Sequence, residues 1–138
     1  VWGMTLIESI GAYLRTEATT VIAAVSTRTY WPMGKSESVL PYISIRLASS
    51  RRIAVGLSGA FQPRESQIEV VCYARTQASA WVLAEAVKTD LDNHIGITPS
   101  DGTVKIKHCY CSDESDLISE SAFEAGVFAV ALTFDIKT

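Results

Sequence analysis

Hydrophobic and polar residues alternate most clearly at Ser66–Ala74, where Ile68, Val70, Cys72 and Ala74 recur at every second position. That period puts them on one face of a strand. After Arg75-Thr76 the period changes to that of a helix, with Ala80, Leu83, Ala84, Val87 and Leu91 on one side and Glu85, Lys88 and Asp92 on the other. The spacing predicts a helix over Gln77–Ile95, with Thr76 as N-cap, His94 in the last turn and Gly96 as the stop. A strand that passes within two residues into a long helix is a rigid unit on which the rest must pack.

The remaining pattern is read around that unit. Thr5 and Glu8 fit a capping box opening a helix to about Arg15, with Leu6, Ile7, Ile10, Tyr13 and Leu14 on its apolar side. Val21–Val25 reads as a short helix weakened by β-branched residues. Arg28–Pro32 reads as a short strand stopped by proline. Ile43, Ile45 and Leu47 alternate with Ser44 and Arg46, the signature of a half-buried strand. Residues 48–64 are basic at Arg51-Arg52 and then glycine-rich, too long for a structureless connection in a compact domain. An extended loop or hairpin reaching out from the sheet is expected there. Pro99–Gly102 signals a turn, and a strand follows from Val104 to about Cys111. Ser112–Glu124, acidic and serine-rich, reads as an exposed loop. The last strand, Gly126–Ile136, places Phe128, Val130, Leu132, Phe134 and Ile136 on one face. The other face carries Val127, Ala129, Ala131, Thr133 and Asp135. Strands outnumber helices and mostly follow one another directly. The expected fold is therefore α+β: two layers, a mostly antiparallel sheet with helices on one face.

Composition narrows the classes. The 138 residues are 48% hydrophobic and 20% charged, which fits a single folded domain (1–138) and excludes a disordered chain. No apolar run reaches membrane-spanning length, and Val1–Met4 carries none of the basic character of a secretory signal. A net charge of −3 argues against a dedicated nucleic-acid binder. Three cysteines, two of them in Cys109-Tyr110-Cys111, suit a reduced protein better than a disulfide framework.

Candidate chemistry fails on inspection. Gly56–Ala60 resembles a nucleophile elbow only until Ala60, where that motif needs glycine. His108 would point away from Cys109 and Cys111, so these three do not converge on a metal, and no cofactor is expected. The acids Asp113, Glu114, Asp116, Glu120 and Glu124 lack the spacing of a calcium loop. Arg46, Arg51, Arg52 and Arg64 surround the 48–64 excursion, where arginines serve phosphate recognition and subunit contacts alike. No acid–base pair or activated nucleophile emerges, so an enzyme is not expected. Trp81, Tyr30 and Trp31 read as packing residues.

Four segments together carry a resemblance. They are Arg28–Pro32; Leu40-Pro41-Tyr42-Ile43 opening a strand; Val70–Ala74 followed by Ala80, Leu83-Ala84, Ala86-Val87 and Leu91; and Asp113–Leu117 before the closing Phe128–Ile136. In this order the chain resembles, over nearly its whole length, the tail-completion or tail-terminator proteins of long-tailed bacteriophages and prophages. The resemblance implies a structural virion protein that forms a homo-oligomer, a hexameric ring, on the head-proximal end of the tail tube. Such a ring ends tube polymerisation, meets the tail tube protein on one side and a head connector or neck protein on the other, and lets DNA pass without specific binding. It implies assembly in the host cytoplasm and no membrane. A head-closure ring of the neck and a small intracellular enzyme or ligand-binding domain are the alternatives. A ring needs two different complementary patches on each subunit. The basic excursion (Arg46, Arg51, Arg52, Phe61, Arg64) and the small-residue face of the last strand (Ala129, Ala131) are the expected pair.

Overall fold

The computed structural model describes residues 2–16, 18–25, 28–30, 40–52, 64–92, 96–97, 105–106, 108–117 and 126–137. Its elements are α1 (Trp2–Thr16), α2 (Thr19–Val25), β1 (Thr29–Tyr30), β2 (Tyr42–Arg52), β3 (Arg64–Ala74), α3 (Gln77–Leu91), β4 (Gly96–Ile97), β5 (Lys105–Ile106), β6 (His108–Leu117) and β7 (Phe128–Lys137). Five strands form the main sheet in the order β1-β2-β3-β7-β6, antiparallel except for the parallel pair β1–β2, while β4 and β5 pair separately. This is the expected α+β arrangement.

The register explains the core. Ile45 lies opposite Val70 and Val70 opposite Leu132; Ile68 faces Phe134, and Cys72 faces both Ile43 and Val130. These rows meet Leu6, Ile10 and Leu14 of α1, Val21 and Val25 of α2, and Ala80, Leu83, Ala84, Val87 and Leu91 of α3 in one buried cluster. All the helices therefore pack on a single face of the sheet. The β3–α3 unit forms as its alternation predicts. Thr76 is extended (φ −134°, ψ 155°) and accepts the Ser79 amide at 3.0 Å, satisfying one of the helix's free amides.

Several boundaries differ from expectation. Helix α1 begins at Trp2, which puts Thr5 inside the helix, and a capping residue must lie outside it. Gly3 costs a helix only about 1 kcal/mol, too little to stop one anchored by fully buried Leu6 and Ile10. Helix α2 includes Thr19 and Thr20 because Asp90 of α3 accepts the Val21 amide at 2.9 Å, a tertiary cap that offsets weak propensity. Helix α3 closes at Asp92, short of the expected Ile95. Its carboxylate accepts the Cys111 amide at 3.0 Å, and the chain leaves the helix there; His94 lies outside the described residues.

The largest correction concerns the acidic segment. Ser112–Leu117 continues β6 as a strand rather than forming a loop. A register shift between Cys111 and Asp113 inserts one extra residue, a bulge that reverses the alternation. Before it, Cys109 and Cys111 take the helix side; after it, Glu114 and Asp116 do. There Glu114 bonds Lys88, and Asp116 accepts a bond from Gln77. Polar partners on α3 replace an apolar core, so the segment forms a strand without strand-like hydrophobicity. Glu120 and Glu124 lie outside the described residues.

Candidate interaction surface

The opposite face of the sheet has no helix on it among the described residues, and its rows divide into two regions. At one end Tyr30, Tyr42 and Tyr73 form a line across β1, β2 and β3. Tyr30 meets Tyr42 edge-on at 5.8 Å, and Tyr42 stacks on Tyr73 at 4.7 Å. Burial raises the phenol pKa of both Tyr42 and Tyr73. Beside them Val71, Ala129 and Ala131 form a small second cluster with Tyr73 packed against it. Ala129 and Ala131 are only 7% and 6% exposed, because β7 lies between β3 and β6 and its small side chains sit among larger neighbours.

The other end is charged and internally neutralised. Arg46 bonds Glu69 at 2.8 Å, opposite it in the register, and Lys137 lies 3.6 Å from Glu65. Tyr110 is hydrogen-bonded to Asp135, which raises its pKa. A depression of about 440 Å³ opens here, lined by Ser49, Glu65, Gln67, Tyr110, Asp135 and Lys137. Both signs of charge line it, so it offers no single-sign field to a phosphate or a nucleic acid.

The predicted residues separate on the sheet. Arg46 is 56% exposed but ion-paired. A second bulge, between Leu47 and Ser49, reverses the alternation of β2. Arg51 therefore falls opposite Glu65, in the row parity of Arg46, whereas Arg52 falls opposite Arg64 in the other parity. The backbone register thus separates Arg51 from Arg52 and Arg64. Pairing of Arg51 and Arg52 with Glu65 and Arg64 makes the expected hairpin arms; Phe61 and Gly56–Ala60 lie outside the described residues.

The cysteines are poor nucleophiles. Burial pushes the Cys109 thiol up to about 12 and raises that of Cys72 beyond the range where a thiolate forms near neutrality. Cys111, half-buried, is also raised by burial. Hydrogen bonds that Lys88 donates to Glu114 and then to Glu85 raise its pKa and hold it charged. Among the described residues no group of three His, Cys, Asp or Glu side chains is arranged to hold a metal ion, and no helix is long and apolar enough to cross a membrane.

This fold has a counterpart among solved structures. A chain of a structure titled "Virion of native gene transfer agent (GTA) particle" aligns with a TM-score of 0.67, covering 99% of this chain and 98% of its own. The two are 16% identical, so the likeness is one of fold. No family model matches the sequence, and no curated protein does.

The acidic half of β6 joins the sheet without a strand-like sequence pattern. Asp113, Glu114 and Asp116 were legible as a charged cluster, but their place on a sheet edge was not. The signal available was Cys109-Tyr110-Cys111 alternation running into them without an intervening glycine or proline.

Proposed function

We propose that the chain is a structural subunit of a phage-like virion, a tail terminator that forms a ring on the head-proximal end of the tail tube and joins tail to head. The observation that carries this reading is the end-to-end correspondence of fold with a chain of a virion particle. That correspondence supports a virion structural protein, and the order of sequence motifs is what supports the terminator role within it. Thiols held protonated by burial and carboxylates tied to Lys88 or Gln77 suit a subunit whose work is assembly rather than catalysis. An acidic subunit whose open face alternates in charge also suits a passage through which DNA slides without sticking. The helix-free face, including Ala129 and Ala131, and the arginine-bearing arms of β2 and β3 are the surfaces offered to partners.

Deletion of the gene in the particle-producing host tests the role. A terminator's loss leaves tails longer than normal and not joined to heads in electron micrographs. Tails of normal length that fail only to join would assign the chain to the connector side instead. Normal tails on normal heads would refute both.

A further inference from the structure

The sheet ends in two edges of opposite chemistry. At one end β1 covers β2 only at Ile43 and Ser44, and no described strand lies beside β2 beyond them. The Ile43 amide donates to Arg28 O, which fixes the direction of the alternation: Ile43, Ile45 and Leu47 turn their main-chain groups away from β3. Ile45 is fully buried, so the accessible edge begins at Leu47. Past the bulge the outward positions are Ser50 and Arg52. At the other end lies the outer edge of β6. Its Cys111 amide already donates to Asp92, and past the β6 bulge the outward positions are Glu114 and Asp116, both exposed.

Charge distinguishes the two. Strand β2 carries Arg51 and Arg52 besides Arg46, which is paired with Glu69, and no acid; β6 carries Asp113 and Asp116 besides Glu114, which is paired with Lys88, and no lysine or arginine. Two β6 edges brought together repel, as do two β2 edges, and charged edges of this kind prevent indiscriminate strand pairing. A β2 edge against a β6 edge is the one attractive combination. It is also the one that uses two different patches, and so makes a head-to-tail contact that can close into a ring rather than a two-fold dimer.

We propose that the outer edge of β6 (Ser112–Leu117) of one copy pairs with the outer edge of β2 (Leu47–Arg52) of the next, continuing the sheet from subunit to subunit. This rests on the ring reading above and names its contact. It assigns the acidic partner of the arginine-bearing arms to β6, leaving the Ala129–Ala131 face available to other components. Main-chain pairing supplies the attachment, and the opposed charges supply its direction and register.

Charge exchange tests this in the purified chain, with native mass and sedimentation as readouts. The wild-type chain self-associates at its highest soluble concentration, and added salt weakens that association. The pair Arg51→Glu with Arg52→Glu, and separately Asp113→Arg with Asp116→Arg, each weakens it by roughly tenfold or more, whereas the fourfold variant restores it. Melting temperature reports whether each variant is folded. In the wild-type oligomer, amide exchange slows at Leu47, Ser50, Arg52, Glu114 and Asp116 relative to the dissociated chain. Oligomers that persist in both reversed pairs, no rescue in the fourfold variant, unaltered exchange at these amides, or a wild-type chain that stays monomeric would each overturn the proposal. None of those results bears on whether the chain is present in the particle or ends the tail, which the deletion phenotype decides separately.

Discussion

Replacing Phe134 by alanine removes the largest fully buried side chain among the described residues, at the centre of β7. Its ring lies in the row shared by Ile68 and Cys111 and belongs to the cluster formed with the helices. Truncations of this kind cost about 3–5 kcal/mol, the lost transfer energy plus a cavity that neighbours fill only in part. An unfolding entropy of roughly 2.1 cal/mol/K per residue over 138 residues turns that into a melting temperature lowered by about 10–17 °C. The matched control is Thr133→Ala. Thr133 is the adjacent residue but half-buried on the helix-free face, so its loss should cost less than about 1 kcal/mol and shift melting by no more than about 3 °C. Thermal melts with urea titrations measure both, and an unchanged urea slope identifies a true loss of stability. If the two substitutions cost the same, or if Phe134→Ala costs under about 1 kcal/mol, the register of β7 is wrong by one residue. Every face assignment on the sheet would then reverse.

Two further predictions concern the scaffold. Thr76→Ala leaves the Ser79 amide without its acceptor and should destabilise the fold by about 1 kcal/mol, whereas Thr76→Ser should be nearly neutral; equal losses would mean the cap bond does not form in solution. Alkaline pH should destabilise the protein through its buried thiols. An unfolded cysteine releases its proton near 9.0, while Cys109 keeps its proton to about 12 in the fold. Between those values the unfolded state binds fewer protons, so stability falls as pH rises, by about 1.4 kcal/mol per pH unit per thiol. Cys72 adds in the same direction. A Cys72→Ala, Cys109→Ala double variant should lose that part of the slope in urea titrations across the window; an unchanged slope would show that the thiols are not shielded.

The parts of the fold legible in the sequence are those whose apolar period is set by contact with the core. The β3–α3 unit and β7 are of this kind, since nearly every second residue of each strand meets a helix. Where something other than apolar burial holds an element, its pattern fades. The second half of β6 is held by β7 on one side and by Lys88 and Gln77 of α3, so its composition reads as loop. Helix α2 depends on a carboxylate of α3, and α3 itself stops where Asp92 reaches Cys111. Bulges are the other blind spot. One extra residue in β2 and one in β6 reverse which side chains share a face, and neither is marked by glycine. Counting by twos puts Asp113 with Cys111; the sheet does the reverse.

The most direct test of the central claim is an image reconstruction of the assembled particle in which this chain is identified. The expected result is a ring of copies seated between the last tube layer and the head connector. In that ring the five-stranded sheet of each copy should be continued edge to edge by its neighbour. Finding the chain within the tube, in the capsid shell, at the distal end of the tail or absent from the particle would contradict it.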